Sequence, residues 1–117
     1  MNIVKCVIYV RAFVRNCPME YQERVCRACA KSKGWKVVKV FRERPRKQVW
    51  RPSALSKLKK FCSEHAGEIA YVLSYHHACL TKYKHQFFEL YGFFRKLGIR
   101  LAFGIYYKLN NHNYEKN

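Results

Sequence analysis

A chain of 117 residues fits one domain, able to bury about two-thirds of its unfolded surface, and leaves no room for a second. With 50% hydrophobic residues it is no disordered polyelectrolyte, and Lys plus Arg exceed Asp plus Glu by 24 to 7, so a formal charge of +17 directs it towards polyanions, nucleic acid before membrane. No apolar run approaches the ~20 residues of a membrane span, and the opening stretch reads as a strand rather than a signal peptide.

In chain order, Val4 to Val10 is an apolar run broken only by Lys5, the pattern of a strand buried on both faces of a parallel sheet. Asn16 to Pro18 ends it. From Met19 the positions Met19, Gln22, Val25, Cys26 and Cys29 recur at three and four, which predicts a helix with the Gln22 amide turned inward, and Gly34 supplies its C-terminal turn. Trp35 to Phe41 alternates lysines with Val and aromatics as a second strand. The connection "RERPRKQVWRP" is too polar and too proline-broken for regular structure, and Pro52 suits the first turn of the next helix, whose stripe is Ala54, Leu55, Leu58, Phe61 and Cys62.

Ala66-Gly67 closes that helix, and Ile69 to Tyr75 reads as a third strand. A single long helix follows, with Leu80, Phe87, Phe88, Tyr91 and Phe94 on its core stripe and Phe93 off it, then Gly98 and a fourth strand from Ile99 to Tyr107. Residues 1–107 are expected to form the domain and the polar residues 108–117 a fraying tail. Alternating strands and helices predict a three-layer α/β sandwich with a mostly parallel sheet of four to five strands, whose ligand site lies at the carboxyl ends of the strands.

The six cysteines are expected as free thiols in a reducing, cytoplasmic compartment, since so apolar a chain has no need of disulfide stapling. Cys26-x-x-Cys29 with Cys62-x-x-His65 has the look of a zinc quartet, but the apolar period runs through Cys26, Cys29 and Cys62, so no metal and no cofactor is expected. Arg42, Arg44, Arg46, Lys47 and Arg51 surround Trp50 in a stretch able to hold a phosphate chain and stack on a base, whereas Lys57, Lys59 and Lys60 read as a solvated helix face. His76, His77 and Cys79 lie where a replacement acid, base or nucleophile would sit, yet adjacent residues leaving a strand point to opposite sides and no carboxylate accompanies them.

Tyr9-Val10-Arg11, Met19-Glu20-Tyr21-Gln22, Gly34-Trp35-Lys36-Val37-Val38, Arg51-Pro52 and the strand-plus-helix from Tyr71 to Gly98 occur in an order and spacing that resembles the catalytic domain of serine recombinases, the resolvase and invertase family. The likeness runs from Ile3 to about Tyr107. It implies a resolvase-like sheet whose strand order reverses after the first crossover, placing the first two helices on opposite faces. It also implies active-site positions at Arg11, Gln22 and Arg51. In that family the first strand ends in Tyr-x-Arg-x-Ser and the Ser attacks a DNA phosphodiester; the matching position is Phe13, whose ring has no nucleophilic lone pair. The family's Asp-Arg-x-x-Arg clamp falls on Ala78, Cys79 and Lys82, so one arginine is lost and the other keeps charge without its planar fork.

The family also continues into a dimerising helix and a DNA-reading domain, which this chain is not expected to contain. The resemblance therefore implies a non-catalytic, DNA-associated accessory or regulatory factor of recombination or mobile elements, in a bacterial or phage context on the nucleoid. Arg11, Arg42, Arg44, Arg46, Lys47, Trp50, Arg51 and Lys82 are its expected nucleic-acid contacts, and an active recombinase or a second copy a further partner. The other reading is an interaction module that caps an active recombinase without touching DNA; a nuclease or transferase built on Cys79 or His76 is a third.

Overall fold

The computed structural model describes residues 3–12, 16–44 and 53–110. Their elements run β1 (Lys5–Arg11), α1 (Met19–Lys33), β2 (Lys36–Glu43), α2 (Ser53–Glu64), β3 (Tyr71–Ser74), α3 (His77–Leu80), α4 (Lys84–Lys96), β4 (Arg100–Phe103) and α5 (Gly104–Asn110). The strands form one sheet in the order β2-β1-β3-β4, every neighbouring pair parallel. The chain steps from β1 to β2 on one side and then returns across β1 to place β3 on the other. This is the reversal expected above, and it puts the carboxyl ends of β1 and β3 side by side.

Cys6 to Val10 are wholly buried because β1 is central and covered on both faces. Val7 and Tyr9 join Leu58 and Cys62 of α2 and Leu90 and Phe94 of α4 in one core. Cys6, Ile8 and Val10 join Val25, Cys26 and Cys29 of α1 and Cys79 of α3 in the other. A period of two in one strand thus feeds two helix layers, giving the three-layer sandwich. The same division places Cys26 and Cys29 on one side of the sheet and Cys62 on the other, while His65 pairs with Glu68 at 2.9 Å.

Gly34 ends α1 in the left-handed region at φ 73°, and its N–H reaches the Ala30 and Lys31 carbonyls, the arrangement its position predicts. Three expectations need correction. β2 runs on through Arg42 and Glu43, because Glu43 has buried partners that its charge alone does not reveal. The long helix is two helices: Thr81 leaves the helical region at φ −164° and the chain re-enters it at Lys84. β4 stops at Phe103, which pairs with Ser74 at the end of β3; the Ile105 N–H still reaches the Tyr75 carbonyl at 2.9 Å, but the chain has by then turned into α5 at Gly104. Gly104 then turns into α5, and its missing Cβ allows close approach to α1, for a Cβ there would lie 3.2 Å from the Val25 side chain.

Candidate phosphate-binding cleft

Arg11 closes β1 on the α2/α4 side of the sheet, two residues beyond Tyr9, and lines a cleft of about 360 Å³. Lys59 of α2 and Lys82, Thr81 and Tyr83 of the α3–α4 connection line it too, with Gln86 and Glu89 of α4 and the core residues Leu80 and Leu90. Among the described lining residues Arg11, Lys59 and Lys82 outweigh the acid Glu89, so the charge of the cleft favours an anion.

The backbone of Arg11 is fixed from α1. Gln22, fully buried, accepts the Arg11 N–H on Oε1 at 3.1 Å and donates Nε2–H to the Arg11 carbonyl at 2.8 Å and to the Cys17 carbonyl at 2.8 Å. Gln22 thereby acts as a short strand edge beyond the end of the sheet. A second buried clamp joins β1, β2 and α2: Tyr9 donates its hydroxyl to Glu43 Oε1 at 3.1 Å, and the same oxygen accepts the Leu55 N–H at 3.1 Å. Burial, then the Glu43 charge, pushes the Tyr9 phenol far above its ordinary range and keeps it a donor.

The hydroxyls of Ser74 and Thr81 are already engaged. Ser74 is buried and donates to the Tyr9 carbonyl at 2.6 Å. Thr81 donates to Gln86 Oε1 at 2.7 Å and accepts the Tyr83 N–H at 3.2 Å, which fixes the break between α3 and α4. Cys79 is fully buried on the α1 side, and burial raises its thiol pKa against the lowering effects of the His76 and Ser74 hydrogen bonds and Arg11, opposite to the activation a nucleophile needs. His76 accepts the Ala78 N–H on Nδ1 at 3.0 Å as the cap of α3. Its ring lies 4.1 Å from that of His77, so these neighbours meet rather than diverge as expected, the turn into α3 having ended the strand alternation.

Of the expected nucleic-acid contacts, Arg11 and Lys82 share the cleft. Arg42 faces α1 instead, where it makes a forked ion pair with Glu23 at 2.8 and 2.9 Å. Burial alone would raise the Glu23 carboxyl, but hydrogen bonds from Arg42 and Arg27 and their charges outweigh it and hold the pKa low. Arg44 is exposed just past β2. Phe13, Arg46, Lys47, Trp50 and Arg51 lie outside the described residues. Lys59, read above as a solvated helix residue, belongs to the cleft, with Nζ 4.8 Å from the centroid of the Phe93 ring. Periodicity put it beside the core stripe of α2, but only the placement of α4 shows what it faces.

No family model matches the sequence, and no curated protein matches it significantly. Solved structures do match. The C-terminal catalytic domain of ISC1926 TnpA, an IS607-like serine recombinase, aligns with a TM-score of 0.73 at 23% identity over 86% of this chain and 67% of that one. The N-terminal catalytic domain of TP901-1 integrase aligns with a TM-score of 0.72 at 20% identity over 85% of this chain and 75% of that one. The first ORF product of transposon ISC1904 from Sulfolobus solfataricus P2 aligns with a TM-score of 0.66 at 13% identity over 86% and 66%. The chain thus has the α/β fold of those serine-recombinase catalytic domains.

Proposed function

We propose that this domain associates with DNA through phosphate contacts in the Arg11 cleft, forms no covalent bond to DNA, and serves as an accessory or regulatory factor in recombination or mobile-element biology. The observation that carries this reading is the convergence of Arg11, Lys59 and Lys82 in one cleft at the carboxyl end of β1. Phosphate contacts of this kind fix a protein on DNA without reading sequence. Support for the absence of a covalent step comes from the resemblance, which sets Phe13 at the family's nucleophile position, and from the Ser74 and Thr81 hydroxyls, which are committed to the Tyr9 carbonyl and to Gln86. Arg44, Arg46, Lys47, Trp50 and Arg51, in the sequence between β2 and α2, extend the contact in this reading, without Arg42, which is paired with Glu23.

The test combines the protein with supercoiled DNA and with nicked substrates that trap a phosphoseryl intermediate, then denatures and resolves the mixture. The reading expects a reversible mobility shift and no adduct that survives denaturation. An adduct abolished by Thr81→Val or Ser74→Ala would replace it with an active enzyme using a relocated hydroxyl.

A further inference from the structure

Around the start of α4, aromatic rings are linked by edge-to-face and tilted contacts. Phe87 of α4 lies 6.0 Å from Phe88, 6.3 Å from Phe103 at the end of β4 and 6.0 Å from His77 of α3, and Phe103 lies 6.4 Å from Tyr106 of α5. Phe87 and Phe103 are half-buried against the core and anchor the row, while Phe88 and Tyr106, each 59% exposed, and His77 turn their rings to solvent. Phe88 was expected in the core. Its exposure leaves an apolar surface that the other described residues do not cover.

The row and the cleft share α3 and α4. His77 stands one turn before Leu80, and Phe87 one turn after Tyr83, whose carbonyl accepts the Phe87 N–H at 3.0 Å; Leu80 and Tyr83 both line the cleft. One wall of the cationic cleft and part of the ring row are thus carried by the same two helices, α4 presenting Gln86, Glu89 and Leu90 to the cleft and Phe87 and Phe88 on its adjoining and far sides. This pairing of features is what unpaired nucleic acid requires, because a base in a duplex has its faces covered by its neighbours whereas a single strand offers them.

A second copy of the chain is the poorer occupant. At +17 per copy, a face-to-face contact would crowd Lys82, Lys84 and Arg95, the exposed cations of α4 and its approach, against their equivalents. An anionic strand is attracted by those same groups.

We propose that the row His77, Phe87, Phe88, Phe103 and Tyr106 is a stacking surface for the unpaired bases of single-stranded DNA, whose backbone enters the Arg11–Lys59–Lys82 cleft. The proposal rests on the DNA-binding reading above and extends it from a duplex backbone to a melted or displaced strand.

Affinities for an unstructured oligothymidylate and for a duplex of equal length test it, measured for the wild type, Phe88→Ala/Tyr106→Ala and Phe88→Trp/Tyr106→Trp, with size-exclusion chromatography of each. Expected are a loss of at least about tenfold on the single strand for the alanine pair, little change on the duplex, and retention of single-strand affinity by the tryptophan pair. Equal single-strand affinity of the alanine pair and the wild type overturns the proposal, as does an equal loss on both DNAs or a wild-type dimer that the alanine pair dissolves. Duplex binding without single-strand binding sinks this inference alone, whereas failure to bind either DNA sinks the functional reading as well.

Discussion

Gln22 holds Arg11 by both backbone polar groups, accepting its N–H at 3.1 Å and donating to its carbonyl at 2.8 Å, from a position with no exposure to solvent. The terminal residue of β1 is thereby kept rigid where strands otherwise fray, and its guanidinium is presented from a fixed base. Gln22→Leu keeps the volume but leaves these groups and the Cys17 carbonyl unpaired. The expected cost is roughly 2–4 kcal/mol in urea unfolding, since each buried group left unsatisfied costs about 1–3 kcal/mol. DNA affinity should fall alongside.

Glu43 satisfies Tyr9 and the first turn of α2 with one oxygen. Glu43→Ala strands a buried phenol, for which about 1–3 kcal/mol is expected, while Tyr9→Phe leaves Glu43 Oε1 with the Leu55 N–H and costs less. A double-mutant cycle by denaturant unfolding should return a coupling of at least about 0.5 kcal/mol between them.

The Glu23 carboxyl has its pKa lowered from an ordinary 4.5 in spite of burial, through the hydrogen bonds and charges of Arg42 and Arg27. A group whose folded pKa is depressed contributes stability above its unfolded pKa and loses it as pH falls through the folded value. The stability difference between the wild type and Glu23→Gln should be constant near neutrality and shrink as the pH drops below about 4.5. Thermal unfolding across pH reads this directly; a difference that grows on acidification contradicts the assigned pairing.

Burial raises the thiols, to about 11 for Cys6, where Cys29 adds to the effect, and to about 12 for Cys62, and it raises Cys79 likewise. Cys17 alone among the cysteines is part-exposed. A thiol-reactive disulfide reagent at pH near 8 should therefore modify Cys17 first in the native protein and reach all 6 cysteines only on unfolding. Rapid native modification of Cys79 would revive it as a nucleophile.

Much of this architecture is legible in the residues, for physical reasons. Cys6 to Val10 must be central because it is apolar on both faces, and Gly34 marks the end of α1 because only a residue tolerant of positive φ turns the chain there. What escapes notice depends on distant partners. A period counted from Leu80 to Phe87 crosses the break at Thr81, where helical phase is lost, so Phe88 and Tyr91 fall outside the core stripe while the half-buried Phe93 packs against it. Ile99 to Tyr107 is apolar enough for a long strand, but a four-residue β3 offers pairing only as far as Phe103. For the cleft, Arg11 and Lys82 are legible through the resemblance, whereas Lys59 and the clamping role of Gln22 emerge only once α2 and α1 are placed on their faces.

In the proposed reading Arg11 and Lys82 neutralise DNA phosphates. Equilibrium binding to duplex DNA over a salt series, for the wild type and Arg11→Ala/Lys82→Ala, measures it most directly. Each neutralised phosphate contributes about −0.9 to the slope of log K against log salt, so the variant should bind more weakly with a slope shallower by about 1.8. An unchanged slope in a folded variant would place the DNA contact elsewhere and contradict the account.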